Sequence, residues 1–180
     1  MSAIEAKKKP VRPRHTKYDA LVAHHEAGHA VLAIVFGRRV QRVTIEPGEG
    51  HEGFSKSTLG FGHAVGWDTS PRMRRRVEEQ IRILLAGGIA QRRMAPRSSK
   101  WAESDDRHRA VDLVLRLASP GREAGTYMKL LRIQTEQAVE REWPTICAVA
   151  EALIARRTLT GDDVKELRYR AMDGHHQQEG

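Results

Sequence analysis

A single cysteine, Cys147, stands in the 180 residues, so no internal disulfide can form and the fold must be held by its core. A lone thiol suits a reducing compartment, and a cytoplasmic location is the expectation. Long apolar runs are missing: none approaches the roughly 18 residues that a helix needs to cross a bilayer. The start, MSAIEAKKKPVRPRH, is charged and proline-containing, and no apolar secretory core follows it. Aromatic residues are scarce, at 5% of the chain, with only three phenylalanines, which argues against a base-stacking platform. Acidic residues are outnumbered, 23 against 31 Lys and Arg, for a net charge of +8. Such an excess can mark a nucleic-acid partner. The densest basic block, RMRRRVEEQIR at 72–82, and the lysines at 7–9 carry no interleaved aromatics. The excess is therefore read as solvation of helix faces, and nucleic acid is not the expected partner.

What is present is material for one domain with a real core. Residues 1–15 read as a disordered basic arm and 173–180 as a polar tail, with the domain between them at 16–172. From Thr16 to Phe36 the apolar pattern is helical, and Gly37 is placed as a C-terminal cap. In RVQRVTIEP, Val43 and Ile45 alternate with polar neighbours, which predicts a short strand. The glycine-rich stretch 48–66 has room for two more, around GFSKST and HAVGW. Ser70 and Pro71 form a cap and a first-turn proline for a helix to about Arg93. Further helices are predicted from Ser104 through Ala118, over 123–142, from Pro144 through Ile154, and from 161 to 171, the last capped by TLTGDD. The fold class is mainly α with a small β-sheet.

The first helix contains HHEAGHAVLA, in which three titratable side chains share a segment otherwise suited to burial. Burying such groups is costly unless each has a partner. His25 and His29 are four apart, so on a helix both imidazoles face one side, within reach of a single ion. Glu26 stands beside the first of them. This is the H-E-x-x-H pattern, in which two imidazoles hold zinc and the glutamate takes a proton from water. The bland alternative is a solvated surface helix, and the apolar flank AVLAIVF argues against it. His24 falls on a different face and reads as solvated or structural.

A hydrolytic zinc site normally has a third protein ligand. The metzincin extension is absent, since Leu32 and Val35 stand where Gly and His would be required. Downstream candidates are His51, Glu52, His63, Asp68, Glu78, Glu79 and the cluster ESDDRHR at 103–109. Asp105 and Asp106 also suit a helix first turn with no metal at all. Spacing alone does not choose among them.

The motif and its surroundings resemble the peptidase domain of the FtsH-type, membrane-anchored AAA proteases, the M41 metallopeptidases. HHEAGHAVLA is similar to their metal-binding helix, and VQRVTIEP to the strand that follows it. LLAGGIAQR is similar to their Gly-Gly helix, and WPTICAVAEALIARRTLTGDDVKEL to their C-terminal helices. ESDDRHRAVDLVLRLA resembles the segment whose aspartate is the third ligand, which selects Asp106, with Ala110 matching the family's alanine. The likeness runs in order from about Tyr18 to Ala171. Gln91 and Arg92 depart from the family's pair of glutamates, and KWAE stands where a glycine is usual.

The resemblance implies an FtsH peptidase-like helical domain and a zinc metalloendopeptidase. Zn2+ would be held by His25, His29 and Asp106, with Glu26 as general base. The substrates implied are unfolded or flexible polypeptides, paired along the strand at Val43–Ile45 and the segment after it. The chain is expected to act without an AAA module or membrane anchor of its own, leaving a separate ATPase partner and a homo-oligomer open. Two rival readings are a catalytically silent, metal-stabilised binding module for a protein or nucleic acid, and a zinc hydrolase acting on a non-peptide amide. Glu26 argues against the first, because a structural zinc has no use for that base.

Overall fold

The computed structural model describes residues 17–46, 70–96 and 104–176. The helical pattern of the first segment becomes α1, Lys17–Val35. Its end is a Schellman cap: Gly37 has φ 69°, its N–H bonds to the Ile34 carbonyl at 2.9 Å, and the Arg38 N–H to that of Ala33 at 2.8 Å. Strand β1 follows at Arg42–Thr44. Helix α2, Pro71–Met94, opens as predicted, with Ser70 Oγ accepting the Met73 N–H at 3.2 Å and proline in its first turn. Then come α3 (Ser104–Val114), α4 (Arg122–Arg141), α5 (Trp143–Arg156), β2 (Thr158–Thr160) and α6 (Gly161–His176).

Helix α2 divides the interior. Ile83, Ala86, Ile89 and Ala90 face a main core built with α1, α5, the two strands and Val164 of α6. Val77, Ile81 and Leu84 face a second cluster with Ala110 and Val114 of α3 and Ala124 and Leu131 of α4. Helix α1 runs antiparallel to α2: Arg38 pairs with Glu79 near the start of α2, and Gly28 lies against Ala86 and Ala90 near its end. Small residues at that crossing let the backbones approach. A Cβ on Gly28 would stand 2.7 Å from the Ala86 carbonyl oxygen and 2.9 Å from Ala90 Cβ.

The chain is mainly helical with a small sheet, as the sequence pattern predicts, and the described partner of β1 is a strand that the pattern does not predict. Strand β1 pairs antiparallel with β2, with Val43 opposite Leu159 and Thr44 opposite Thr158. The segment TLTGDD, expected to end the preceding helix and cap the last one, also supplies strand β2. Thr160 and Asp163 form a reciprocal capping box, with the Thr160 N–H 2.7 Å from Asp163 Oδ2 and the Asp163 N–H 3.2 Å from Thr160 Oγ1. The strands expected around GFSKST and HAVGW, and the arm at 1–15, lie outside the described residues. Helix α3 stops at Val114, short of Ala118, where the bonding tightens to Leu117 N–H to Val114 carbonyl at 2.8 Å. Helix α6 continues beyond residue 171 to His176.

The strand pair is tied to the start of α1 by Arg157, which ends α5 in the left-handed conformation at φ 65°. Its guanidinium reaches Asp19 at 3.2 Å and Glu46 at 2.9 Å, and its carbonyl accepts the Ile45 N–H at 2.9 Å. Among the described residues, no helix is long and apolar enough to cross a membrane.

Candidate metal centre

His25 and His29 project from one side of α1 toward α2 and α3, and both are buried, at 6% and 5% exposure. Their rings stand edge to face at 84°, with Nε2 atoms 3.0 Å apart. Asp106, in the first turn of α3, places Oδ2 3.1 Å from His25 Nε2 and 3.0 Å from His29 Nε2. The three atoms form a nearly equilateral triangle. The Asp106 side chain keeps partial contact with solvent, at 20% exposure.

Hydrogen bonding alone serves this triangle badly. One proton on a ring nitrogen satisfies two edges and leaves the third as two lone pairs face to face. Two protons set two N–H groups against each other at the His25–His29 contact. A small cation between the atoms would satisfy all three. Ligands at zinc's usual bond length of about 2.0–2.1 Å stand about 3.3 Å apart on a tetrahedron, close to the separations found. Two imidazole nitrogens and one carboxylate oxygen are a donor set that zinc accepts, and three protein ligands leave a coordination position for a reactant.

The orientation of His29 is set from behind. Its Nδ1 donates to the Ile83 carbonyl of α2 at 2.8 Å, which directs Nε2 toward Asp106 and His25. The ring lies over Gly87, where a Cβ would come 2.4 Å from Nε2. His25 Nδ1 is buried and has no hydrogen-bond partner among the described residues. Without a metal, burial works against protonation of His29. The Asp106 charge and hydrogen bond outweigh it, with help from Glu26, and the pKa rises to about 9. Asp106 responds in kind: burial opposes its ionisation, but both histidines hold it well below the usual carboxylate range.

Of the other candidate ligands, Glu78 pairs with Arg74 and Tyr127, and Glu79 with Arg38 and Arg75. Asp105 and His108 are exposed on α3. His51, Glu52, His63, Asp68 and Glu103 lie outside the described residues. His25, His29 and Asp106 are the one group with metal-ligand spacing among the residues described. Glu26 is half-buried beside the triangle, and its charge acts on His29. It makes no hydrogen bond to another described residue. His24 is structural: Nδ1 bonds to the Ala20 carbonyl at 2.8 Å and the ring packs 5.8 Å from Trp143.

Gln91 is buried on α2 with its side-chain carbonyl unpartnered among the described residues. Ile83 acts through its backbone carbonyl, which leaves no mark in a sequence. Gly87 did leave one, as a glycine inside a helix. No family model matches the chain, and no curated protein matches it.

Proposed function

We propose that this chain is a zinc-dependent metallopeptidase of the FtsH type, hydrolysing peptide bonds in unfolded or flexible polypeptides. The observation that carries the reading is the convergence of His25 Nε2, His29 Nε2 and Asp106 Oδ2, with Glu26 next to the first ligand. His25, His29 and Asp106 would hold the ion, and Ile83 fixes the tautomer of His29. Zinc supplies a Lewis acid that polarises a scissile carbonyl and makes water more acidic. Glu26 takes the proton from the attacking water and delivers it to the leaving amine. The water oxygen becomes part of the new carboxyl group, and its remaining proton passes to the departing amine, which leaves a carboxylate and an ammonium group.

Strand β1 supports a polypeptide substrate. Among the described residues it has a strand neighbour on one side only, and its other edge is the one assigned here to an extended substrate backbone. Substrate held in this way must be unfolded or flexible, because folded backbone is already paired. An ATPase that unfolds substrate would act upstream of this step.

The test is metal quantification of the purified chain beside cleavage of casein, with and without chelator. One zinc per chain and chelator-sensitive cleavage are expected. Full zinc with no cleavage of casein or unfolded peptides, candidate ATPases included, would favour the silent binding module. Absence of stoichiometric metal would remove the centre itself.

A further inference from the structure

We infer that Gly87 is a positioning residue for His29: the bare backbone it leaves on α2 is the seat of that imidazole, and any side chain there would displace a proposed metal ligand. The inference rests on the metal centre proposed above and extends it to a residue that touches no metal.

Glycine is a poor choice at this position unless space demands it. Gly87 lies inside α2, where alanine is the better helix former. The described glycines with positive φ are Gly37 and Gly121, so Gly87 is not there for backbone freedom. Space is the remaining reason. A Cβ on Gly87 would stand 2.4 Å from His29 Nε2, 2.7 Å from Cε1 and 2.9 Å from Cδ2, all inside van der Waals contact. Those atoms are the far edge of the ring, and they include the nitrogen that faces Asp106 and His25.

The ring has no harmless way to yield. Its Nδ1 is held by the Ile83 carbonyl, one helical turn before Gly87, at 2.8 Å. Rotation that clears a methyl group breaks this bond, and lifting the ring off α2 shifts Nε2 within the triangle. Metal ligands tolerate displacements of only about 0.2 Å. The backbone of α2, by contrast, need not move, because what the methyl meets is the end of a side chain.

Gly28, across the same helix pair, behaves differently. Its Cβ would meet the Ala86 carbonyl oxygen at 2.7 Å, which is backbone and cannot swing aside. Gly28 therefore serves the helix crossing, and Gly87 serves the ligand.

The experiment compares Gly87→Ala with wild type in the full chain by three measurements. These are zinc affinity in competition with a chromogenic chelator, the visible absorption of the cobalt(II)-loaded protein, and the melting temperature in chelator. Gly87→Ala should bind zinc at least tenfold more weakly and change the cobalt spectrum, with little loss of metal-free melting temperature. Unchanged zinc affinity and spectrum would overturn the inference. Wild type that binds no zinc would instead overturn the metal centre, and this inference with it. If Gly87→Ala folds poorly, the same substitution in a His29→Ala background decides the matter. A cost that disappears once the ring is gone supports the seat; an equal cost in both backgrounds shows that Gly87 packs against something else.

Discussion

Asp106 of α3 meets His29 of α1 at 3.0 Å, joining two helices whose apolar residues belong to different clusters. Ala110 and Val114 seat α3 on α2 and α4, and the bridge to α1 is made by the Asp106 carboxylate. A metal at this point would bind α3 to the main core. Hydrogen exchange should therefore show α3 amides losing protection when zinc is removed, while α1 and α5 keep theirs. Equal protection of α3 with and without zinc would leave the ion no part in holding that helix.

The assignment of the third ligand has its own test. Asp105 is exposed and Asp106 reaches both imidazoles, though the two are neighbours in the chain. Asp106→Ala should lower bound zinc far more than Asp105→Ala, and His25→Ala or His29→Ala should abolish stoichiometric binding. Elemental analysis of the four variants reads this directly. Greater loss in Asp105→Ala would place the ligand one residue earlier.

The pH dependence of stability should change character with metal. In the metal-free chain the His29 pKa lies above its ordinary 6.5, at about 9, because Asp106 and Glu26 overcome the cost of burial. A raised folded pKa stabilises below 6.5, and that contribution is lost as pH climbs through about 9. Zinc needs the neutral imidazole, so its binding strengthens over the same interval. Thermal melts in chelator should fall from pH 6.5 to 9 while the gain from added zinc widens. Parallel curves with and without zinc would mean that the ion does not compete with this proton.

Two glycines outside the site separate packing from propensity. A Cβ on Gly161 would stand 1.9 Å from the Val40 carbonyl oxygen, at the junction of the strands with α6. Gly161→Ala should cost about 3 kcal/mol, at the upper end for overpacking. Gly125, in the first turns of α4, has open space around it. Gly125→Ala should gain up to about 1 kcal/mol by helix propensity and reduced unfolded-state freedom. Urea melts of both variants give the signs.

Local signals were legible in the sequence wherever neighbouring residues cause the structure. Ser70 with Pro71, and Gly37 after α1, act through bonds to residues a turn away, and the elements begin and end there. The partner of β1 was not legible. Thr158–Thr160 is too short to carry an alternating pattern of its own, and its pairing with Arg42–Thr44 depends on α5 returning the chain to α1. The end of α3 was overextended because Leu115 and Ala118 continue the apolar spacing, while backbone bonding tightens after Val114.

The metal-ligand pair on α1 could be seen from helical spacing alone. The third member could not, because a carboxylate on α3 reaches α1 only through the packing of α3 on α2. Family resemblance selected Asp106 where residue spacing left several candidates, and the described geometry brings that residue to the two histidines.

The central claim is that Glu26 removes a proton from the attacking water at a zinc held by its neighbours, and Glu26→Gln tests it most directly. The substitution nearly preserves shape while removing the carboxylate that can accept a proton. Zinc content, melting temperature and cleavage of an unfolded peptide should be measured on the same preparation. The variant should keep its zinc and its fold and lose cleavage by about 100-fold or more, the lower range of a general base's contribution. Cleavage that persists at the wild-type rate, or loss of zinc together with activity, would contradict the role given to Glu26.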